Sequence, residues 1–343
     1  MSLLPRRDIG GFRVGIVGAG GVADGYHAPV LRSLGVRLEW VCDLDGERAQ
    51  RFAAEHGIGV ATSRLETAPE VDAVLIAIPV GARRMVLNDV FERRWNALVE
   101  KPFAVTVDEH RQILRDAQQA GVAVGVGLMR RFHRTILGAR ELLRSGVFGP
   151  LRRVWAADGM PLRGTGRGDD WYQGDPSASG GGVVAETGSH LIDQVLFLTD
   201  TESVGDPSAE FTSEAGLTLE ARLRATASRR GQEEPFGIHV ALSQMRDLYN
   251  AIVLCFDHAR LRVGTAANGS IELLDDQFLP VGNLTLRTDG AEGVYQAFAM
   301  EWQAFIGQCL EGGTGDADAA TAVLSTQLIE AVAGAACIGD DSP

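Results

Sequence analysis

Lysine is almost absent from this chain of 343 residues: Lys101 stands alone, although lysine and arginine together number 32. An arginine stays protonated in a protein, whereas a lysine amine is a compact donor that releases its proton readily when buried, so a site that handles protons through an amine has no use for arginine. The one lysine is therefore singled out before any motif is considered. Cysteine is scarce too: Cys42, Cys255, Cys309 and Cys337 form no CxxC pair and no metal-ligand spacing, which points to no metal and to a reducing cytoplasm. No apolar run approaches the roughly 18 residues of a membrane span, and residues 1–8 lack the continuous apolar segment of a signal peptide. A formal net charge of −13, with no basic run to offset it, argues against nucleic acid or an anionic membrane as partner.

What is present is a chain long enough for two domains, with 45% hydrophobic residues to fill them. A β-rich run at residues 12–17 leads directly into Gly18 Ala19 Gly20 Gly21 Val22 Ala23, the GxGxxA form of the dinucleotide fingerprint. In that motif the first glycine makes the turn, the second admits the pyrophosphate and the small last residue lets helix pack on strand, the phosphates meeting the amides of the following helix. A helix-compatible stretch at 27–34 and a second strand at 37–42 follow, ending in Asp43 at the spacing of a ribose-binding acid. Asp43 favours NAD, since a carboxylate repels a 2′-phosphate; Arg48 nearby leaves NADP open. Asp45 reads as a helix cap.

Strand signals recur at 71–78, stopped by Pro79, and at 95–99, with a helix over 83–93 between them; another helix starts near Asp108 and a last buried strand covers 122–128. The α/β domain is a doubly wound parallel sheet closing near residue 128, which sets boundaries of 1–128 and 129–343. Lys101 follows the run Trp95 Asn96 Ala97 Leu98 Val99 within Glu100 Lys101 Pro102, at the carboxyl edge where open α/β sheets bind ligands.

In order along the chain, the fingerprint, the strand ending Ala77 Ile78 Pro79, the Glu100 Lys101 Pro102 triplet, Arg131 Phe132, Ser145 Gly146 before Phe148 Gly149, and Gly180 Gly181 Gly182 followed by Gly188 Ser189 His190 and Asp193 resemble the Gfo/Idh/MocA family of oxidoreductases. The resemblance implies an NAD(P)-binding Rossmann domain joined to an α+β domain with a large, mostly antiparallel open sheet that often mediates dimers or tetramers. It also implies a Lys and a His flanking the nicotinamide. Gly18, Gly20, Gly21, Val22, Asp43, Pro79, Glu100 and Lys101 are then the cofactor-contact candidates.

The second half agrees. β-rich runs occur at 151–157, 218–227, 236–242, 251–256, 260–263, 270–274 and 284–287, and helical stretches at 294–310 and 317–337. Residues 164–182, containing Trp171 and Tyr172, read either as a loop beside the substrate or as a solvated connection. If the segment from Glu186 opens a helix, Glu186 and His190 stand i,i+4 on one face, a carboxylate beside an imidazole. Oxidation of an alcohol needs a base near neutrality to take the hydroxyl proton, which suits His190, with Glu186 orienting it and Lys101 polarising the oxygen or joining a proton relay. The family has Asp at the Glu186 position. It also has Asn and His where this chain has Met129 and Arg83, so substrate contacts on that side do not carry over. Arg131, Asp193 and Trp171 are the substrate-binding candidates, with Arg131 open to a plain ion pair instead. His56, His110, His239 and His258 read as surface or sheet positions; His27 and His133 stay open.

The expectation is an NAD(P)-dependent dehydrogenase of a polyol, sugar or sugar derivative, a homodimer or homotetramer. The alternative is a non-catalytic dinucleotide-binding sensor of the same fold.

Overall fold

Runs of Val, Ile, Leu and Ala at two-residue or continuous spacing are what a sheet covered on both faces demands, and they form the centre of the first unit. The computed structural model describes residues 9, 11–161, 182–214, 216–286 and 288–337. By internal packing the chain divides into Met1–Leu128 with Phe298–Val323, and Met129–Ala297 with Leu324–Pro343.

In the first unit, β1 (Arg13–Val17), β2 (Arg37–Cys42), β3 (Val60–Thr62), β4 (Ala73–Ile76), β5 (Asn96–Glu100) and β6 (Val124–Gly127) form one sheet in the order β3-β2-β1-β4-β5-β6, every pair parallel. This is the doubly wound order whose direction reverses between β1 and β4, the crevice in which such sheets bind dinucleotides. A helix runs from Gly21, passes through a π turn at Ala23–His27 and continues as α1 (Ala28–Ser33). The other helices are α2 (Gly46–His56), capped by Asp45, α3 (Arg83–Glu92) and α4 (Val107–Ala120), capped by Thr106. Val74, Leu75, Leu98 and Val99 are fully buried.

In the second unit a 3₁₀ turn at Met129–Phe132 precedes α5 (Arg134–Ser145) and β7 (Leu151–Gly159). A π turn at Val184–Gly188 continues into α6 (Ser189–Leu198). The strands β8 (Thr201–Glu214), β9 (Leu217–Arg229), β10 (Phe236–Ser243), β11 (Ala251–Phe256), β12 (Arg260–Gly264), β13 (Ile271–Leu274) and β14 (Pro280–Leu284) follow. Helix α7 (Val294–Glu311), which from Phe298 onward belongs to the first unit, and a 3₁₀ turn at Ala319–Ala322, also in the first unit, precede α8 (Val323–Ala333) and β15 (Ala336–Cys337), which end the described chain. The sheet has nine strands in the order β14-β13-β12-β11-β7-β10-β9-β8-β15, antiparallel except for β7 with β10 and β8 with β15.

Two expectations need correction, and one strand was not anticipated. The strand placed at 284–287 instead ends at Leu284 and begins at Pro280, and Arg287 lies outside the described residues. The continuous helix placed at 317–337 is broken into a 3₁₀ turn, a helix and a short strand. The main chain there is claimed by β6, with Val126 donating to the Ala317 carbonyl, and by the side chain of Asp318, which caps the turn at Ala320. Strand β8 carries no apolar alternation and was not anticipated; its ladder with β9 forms it, with irregular register on both sides of Pro207. On β9, buried Ala221, Leu223, Ala225 and Ala227 alternate with exposed Arg222, Arg224, Thr226 and Ser228, and Trp155 of β7 stacks on His239 at 4.2 Å between ring centres.

Residues 298–323, placed with the second domain by order along the chain, belong to the first unit. Their anchor is Trp302, fully buried, whose indole N–H donates to Nδ1 of His27 at 2.9 Å. Trp302→Phe keeps most of the apolar bulk but leaves that buried acceptor without its donor, a loss of about 1–3 kcal/mol. Urea unfolding of the two proteins checks it, and an unchanged midpoint would show that the indole N–H contributes nothing.

Candidate functional site

At the end of β1 the chain turns through Gly18, whose φ of 98° suits glycine and whose added Cβ would lie 2.3 Å from the carbonyl oxygen of Ala77, just past β4. The ends of β1 and β4 approach this closely only because the position has no side chain. Beyond it, a Cβ on Gly20 or Gly21 would meet nothing within 4 Å, so there is open space over the turn where a helix begins. Asp43 is tied to this turn directly: Oδ2 accepts from the Ala19 amide and Oδ1 from the Asp45 amide, both at 2.9 Å. Each carboxylate oxygen keeps a lone pair for a ribose hydroxyl. Arg48, the residue that left NADP open, lies 3.8 Å from Asp45, and Leu44 beside Asp43 is 96% exposed. Glycine turn, open space, helix start and acid together fit a dinucleotide with a free 2′-hydroxyl.

At the end of β5 sits Glu100, a carboxylate in an otherwise apolar layer. Its Oε1 accepts from His27 at 2.9 Å and its Oε2 from the Lys101 amide at 3.0 Å. Trp302 donates to His27 Nδ1, so that nitrogen is an acceptor and the imidazole proton rests on Nε2, pointing at Glu100. Gly127, opposite Glu100 on β6, makes the room: a Cβ there would stand 2.8 Å from Oε1. Burial raises the Glu100 pKa, but the hydrogen bond from His27 and the positive charges of Lys101 and Arg83 outweigh it and hold the carboxyl below its ordinary value. Lys101 is half-buried, and Pro79 stands at the end of the segment following β4. Sequence reasoning left His27 open and did not find Trp302 or Arg83. The signal for His27 was its place on the fingerprint helix; nothing in spacing linked it to a tryptophan 275 residues later.

In the second unit, Glu186 lies in the π turn and His190 in the first turn of α6, both half-buried, with the histidine Nδ1 buried. The wider i→i+5 turn replaces the regular i,i+4 face expected for this pair. Single π turns of this kind recur at functional sites. Arg131 and Asp193 are brought together, but on each other: Nε and Nη2 donate to the two carboxylate oxygens at 2.6 Å, Ser325 adds a bond at 2.9 Å, and the side chains are 1% and 2% exposed. Such a bidentate, buried pair ties the 3₁₀ turn to α6, in keeping with the plain ion pair that was one of the two readings of Arg131. Trp171 lies outside the described residues. His110, read as a surface or sheet position, is fully buried on α4 and bonds the Ala319 carbonyl at 3.0 Å. A pocket of about 460 Å³ at the opposite, amino-terminal edge of the Rossmann sheet, lined by Phe12, Asp72, Arg94 and Asn96, involves none of these groups.

A doubly wound sheet with a glycine turn at its switch point and an acid after its second strand defines a dinucleotide-binding oxidoreductase fold. The chain belongs to the Gfo/Idh/MocA family: the profile of its oxidoreductase NAD-binding Rossmann fold matches residues 12–128, and that of a GFO/IDH/MocA C-terminal domain matches residues 136–227. The rhizopine catabolism protein MocA of Rhizobium meliloti is 30% identical over 199 residues, 56% of this chain and 58% of that protein. Inositol 2-dehydrogenase of Rubrobacter xylanophilus is 34% identical over 149 residues, 41% of this chain and 43% of that one. The chain thus spans about half the length of the curated relatives it matches. The crystal structure of aldose-aldose oxidoreductase from Caulobacter crescentus, complexed with glycerol, shares the fold with a TM-score of 0.80 at 17% identity, over 94% of this chain and 97% of that chain. Among the described residues, no helix is long and apolar enough to cross a membrane.

Two buried imidazoles give the protein a pH-dependent stability. Burial lowers His110 and His133 from 6.5 to about 4, against hydrogen bonds to Ala319 and Thr265 that raise them. Between those values the unfolded chain takes up protons that the native state refuses, so stability is complete above pH 6.5 and falls toward pH 4, by roughly 3 kcal/mol per histidine. Glu100, held below its ordinary 4.5, keeps its contribution down to about that pH and loses it only below. Urea unfolding at pH 7, 6 and 5 should show the decline, and His110→Gln should flatten it; equal slopes in both proteins would contradict the assignment.

Proposed function

We propose that the protein is an NAD-dependent dehydrogenase that oxidises a secondary hydroxyl of a polyol, sugar or sugar derivative, or reduces the matching ketone. The observation that carries this reading is the setting of the only lysine. Lys101 directly follows strand β5 at the ligand-binding edge of the sheet, on a turn fixed by a buried, hydrogen-bonded glutamate, in the same unit as the glycine turn and Asp43. Gly18, Gly20, Gly21 and Val22 would line the pyrophosphate, Asp43 the adenosine ribose, and Pro79, Glu100 and Lys101 the nicotinamide end. NAD, when bound, supplies the acceptor for a hydride.

His190 is the proposed acid/base. It takes the hydroxyl proton while the C–H electron pair leaves the same carbon, and returns the proton in the reverse direction. Glu186 orients the imidazole. The Lys101 ammonium hydrogen-bonds the substrate oxygen as its charge changes between alcohol and carbonyl, and is available to relay the proton. The named activities of the relatives, rhizopine catabolism and inositol oxidation among them, support a polyhydroxylated substrate. Self-association as a homodimer or homotetramer is part of the proposal; light scattering at micromolar concentration should give a mass above the 36.6 kDa of one chain.

Two outcomes test the chemistry. Calorimetric titration should show NAD(H) binding more tightly than NADP(H), because Asp43 would face the phosphate; equal affinity would remove the role given to Asp43. A reduced-cofactor absorbance screen over polyols, sugars and sugar acids should find a substrate whose turnover falls by about 10²- to 10⁴-fold in His190→Ala and in Lys101→Arg, the range for losing one acid/base participant. Full activity in Lys101→Arg with a dead His190→Ala would reduce Lys101 to a positioning charge.

A further inference from the structure

Arg83 opens α3 and is only 4% exposed, a cation buried at a helix amino terminus, where the helix dipole opposes it. A charge so placed is kept only by strong compensation, and its guanidinium shows where that goes. Nε donates to the carbonyl of Ile78 at 2.8 Å, Nη1 to the carbonyls of Glu100 and Pro102, and Nη2 to the carbonyl of Lys101 at 3.3 Å. Three consecutive carbonyls around the only lysine and one from the strand end next to it are thus gathered by one planar fork. On the amide side, the same residue is held by Glu100 Oε2. The main chain of Lys101 is fixed from both sides, which fixes the direction in which its Cα–Cβ bond leaves the turn.

We propose that Arg83 is the positioning residue for Lys101, setting the ammonium for the transfer without touching a reacting atom, a role that rests on the reading of Lys101 as a participant. A lysine at position 83 has one point of charge and cannot bracket four carbonyls, and a neutral side chain of similar length cannot supply the fork. The Glu100 carboxylate gains from the same charge, so strand end, acid and lysine are held as one piece.

The test uses the absence of other lysines. In protein carrying ¹³Cε-lysine, the spectrum contains one side-chain signal, that of Lys101, with no assignment needed. Arg83→Gln should shift that signal and abolish its response to NAD⁺. With a substrate in hand, Arg83→Gln should lower kcat by about 10- to 100-fold, the scale of a displaced catalytic group, with the KM for NAD⁺ changed by less than about threefold. In a Lys101→Met background, Arg83→Gln should cost no further turnover, because its effect passes through Lys101. A merely structural arginine would lower turnover by the same factor in both backgrounds, and it would leave the lysine signal and its response to NAD⁺ in place; either result overturns the proposal. Arg83→His, smaller and still a donor, takes the same measurements if the glutamine variant does not fold. Should Lys101→Met itself retain full turnover, the reading of Lys101 fails, while the lysine signal still decides whether Arg83 positions it.

Discussion

One carboxylate, buried at the end of a parallel strand, sets the constraint that the first unit is built to meet. An ionised glutamate in an apolar layer is tolerated only when donors reach both oxygens. Two donors from separate parts of the chain reach the oxygens of Glu100, His27 from the fingerprint helix and the Lys101 amide from the turn itself, and the charge of Arg83 at the start of α3 adds to their effect. His27 in turn needs a donor on its other nitrogen, and Trp302 supplies it from the returning segment 298–323. Strand, helix and late return are thereby fixed around the single lysine. Removing any one of them leaves a buried polar atom unmet, which costs more than the bond itself contributes.

Both units place their site segments on a π turn that runs on into an α-helix. In the first, Ala23–His27 carries the histidine that meets Glu100; in the second, Val184–Gly188 carries Glu186 and leads to His190. An extra residue in a helical turn changes which side chains face one way. Sequence periodicity assumes 3.6 residues per turn, so the i,i+4 reading of Glu186 and His190 was bound to miss the altered face.

Much of the first unit was legible because its signals are local. The glycine turn, the acid after β2 and the charged triplet after β5 each lie within a few residues of the strand that positions them, and their order along the chain is their order of use. What the sequence does not display are the long-range pairings: His27 with Trp302, His110 with Ala319, and Arg131 with Asp193, each joined only by the fold. Strand β8 was hidden for another reason. It lies near a sheet edge with little apolar burial, so pairing, not side-chain pattern, makes it a strand. The role of Arg83 was masked by a comparison with the family's histidine, which drew attention to a missing substrate contact rather than to the carbonyls within reach of the new side chain.

A crystal structure of the protein with NAD⁺ tests the account most directly. It predicts the adenosine ribose hydroxyls on Asp43, the pyrophosphate over Gly20 and Gly21, and the Lys101 ammonium facing the nicotinamide end with the Arg83 and His27 contacts unchanged. A complex in which the cofactor bypasses Asp43, or in which Lys101 turns away while the His27–Glu100 pair comes apart, would contradict it.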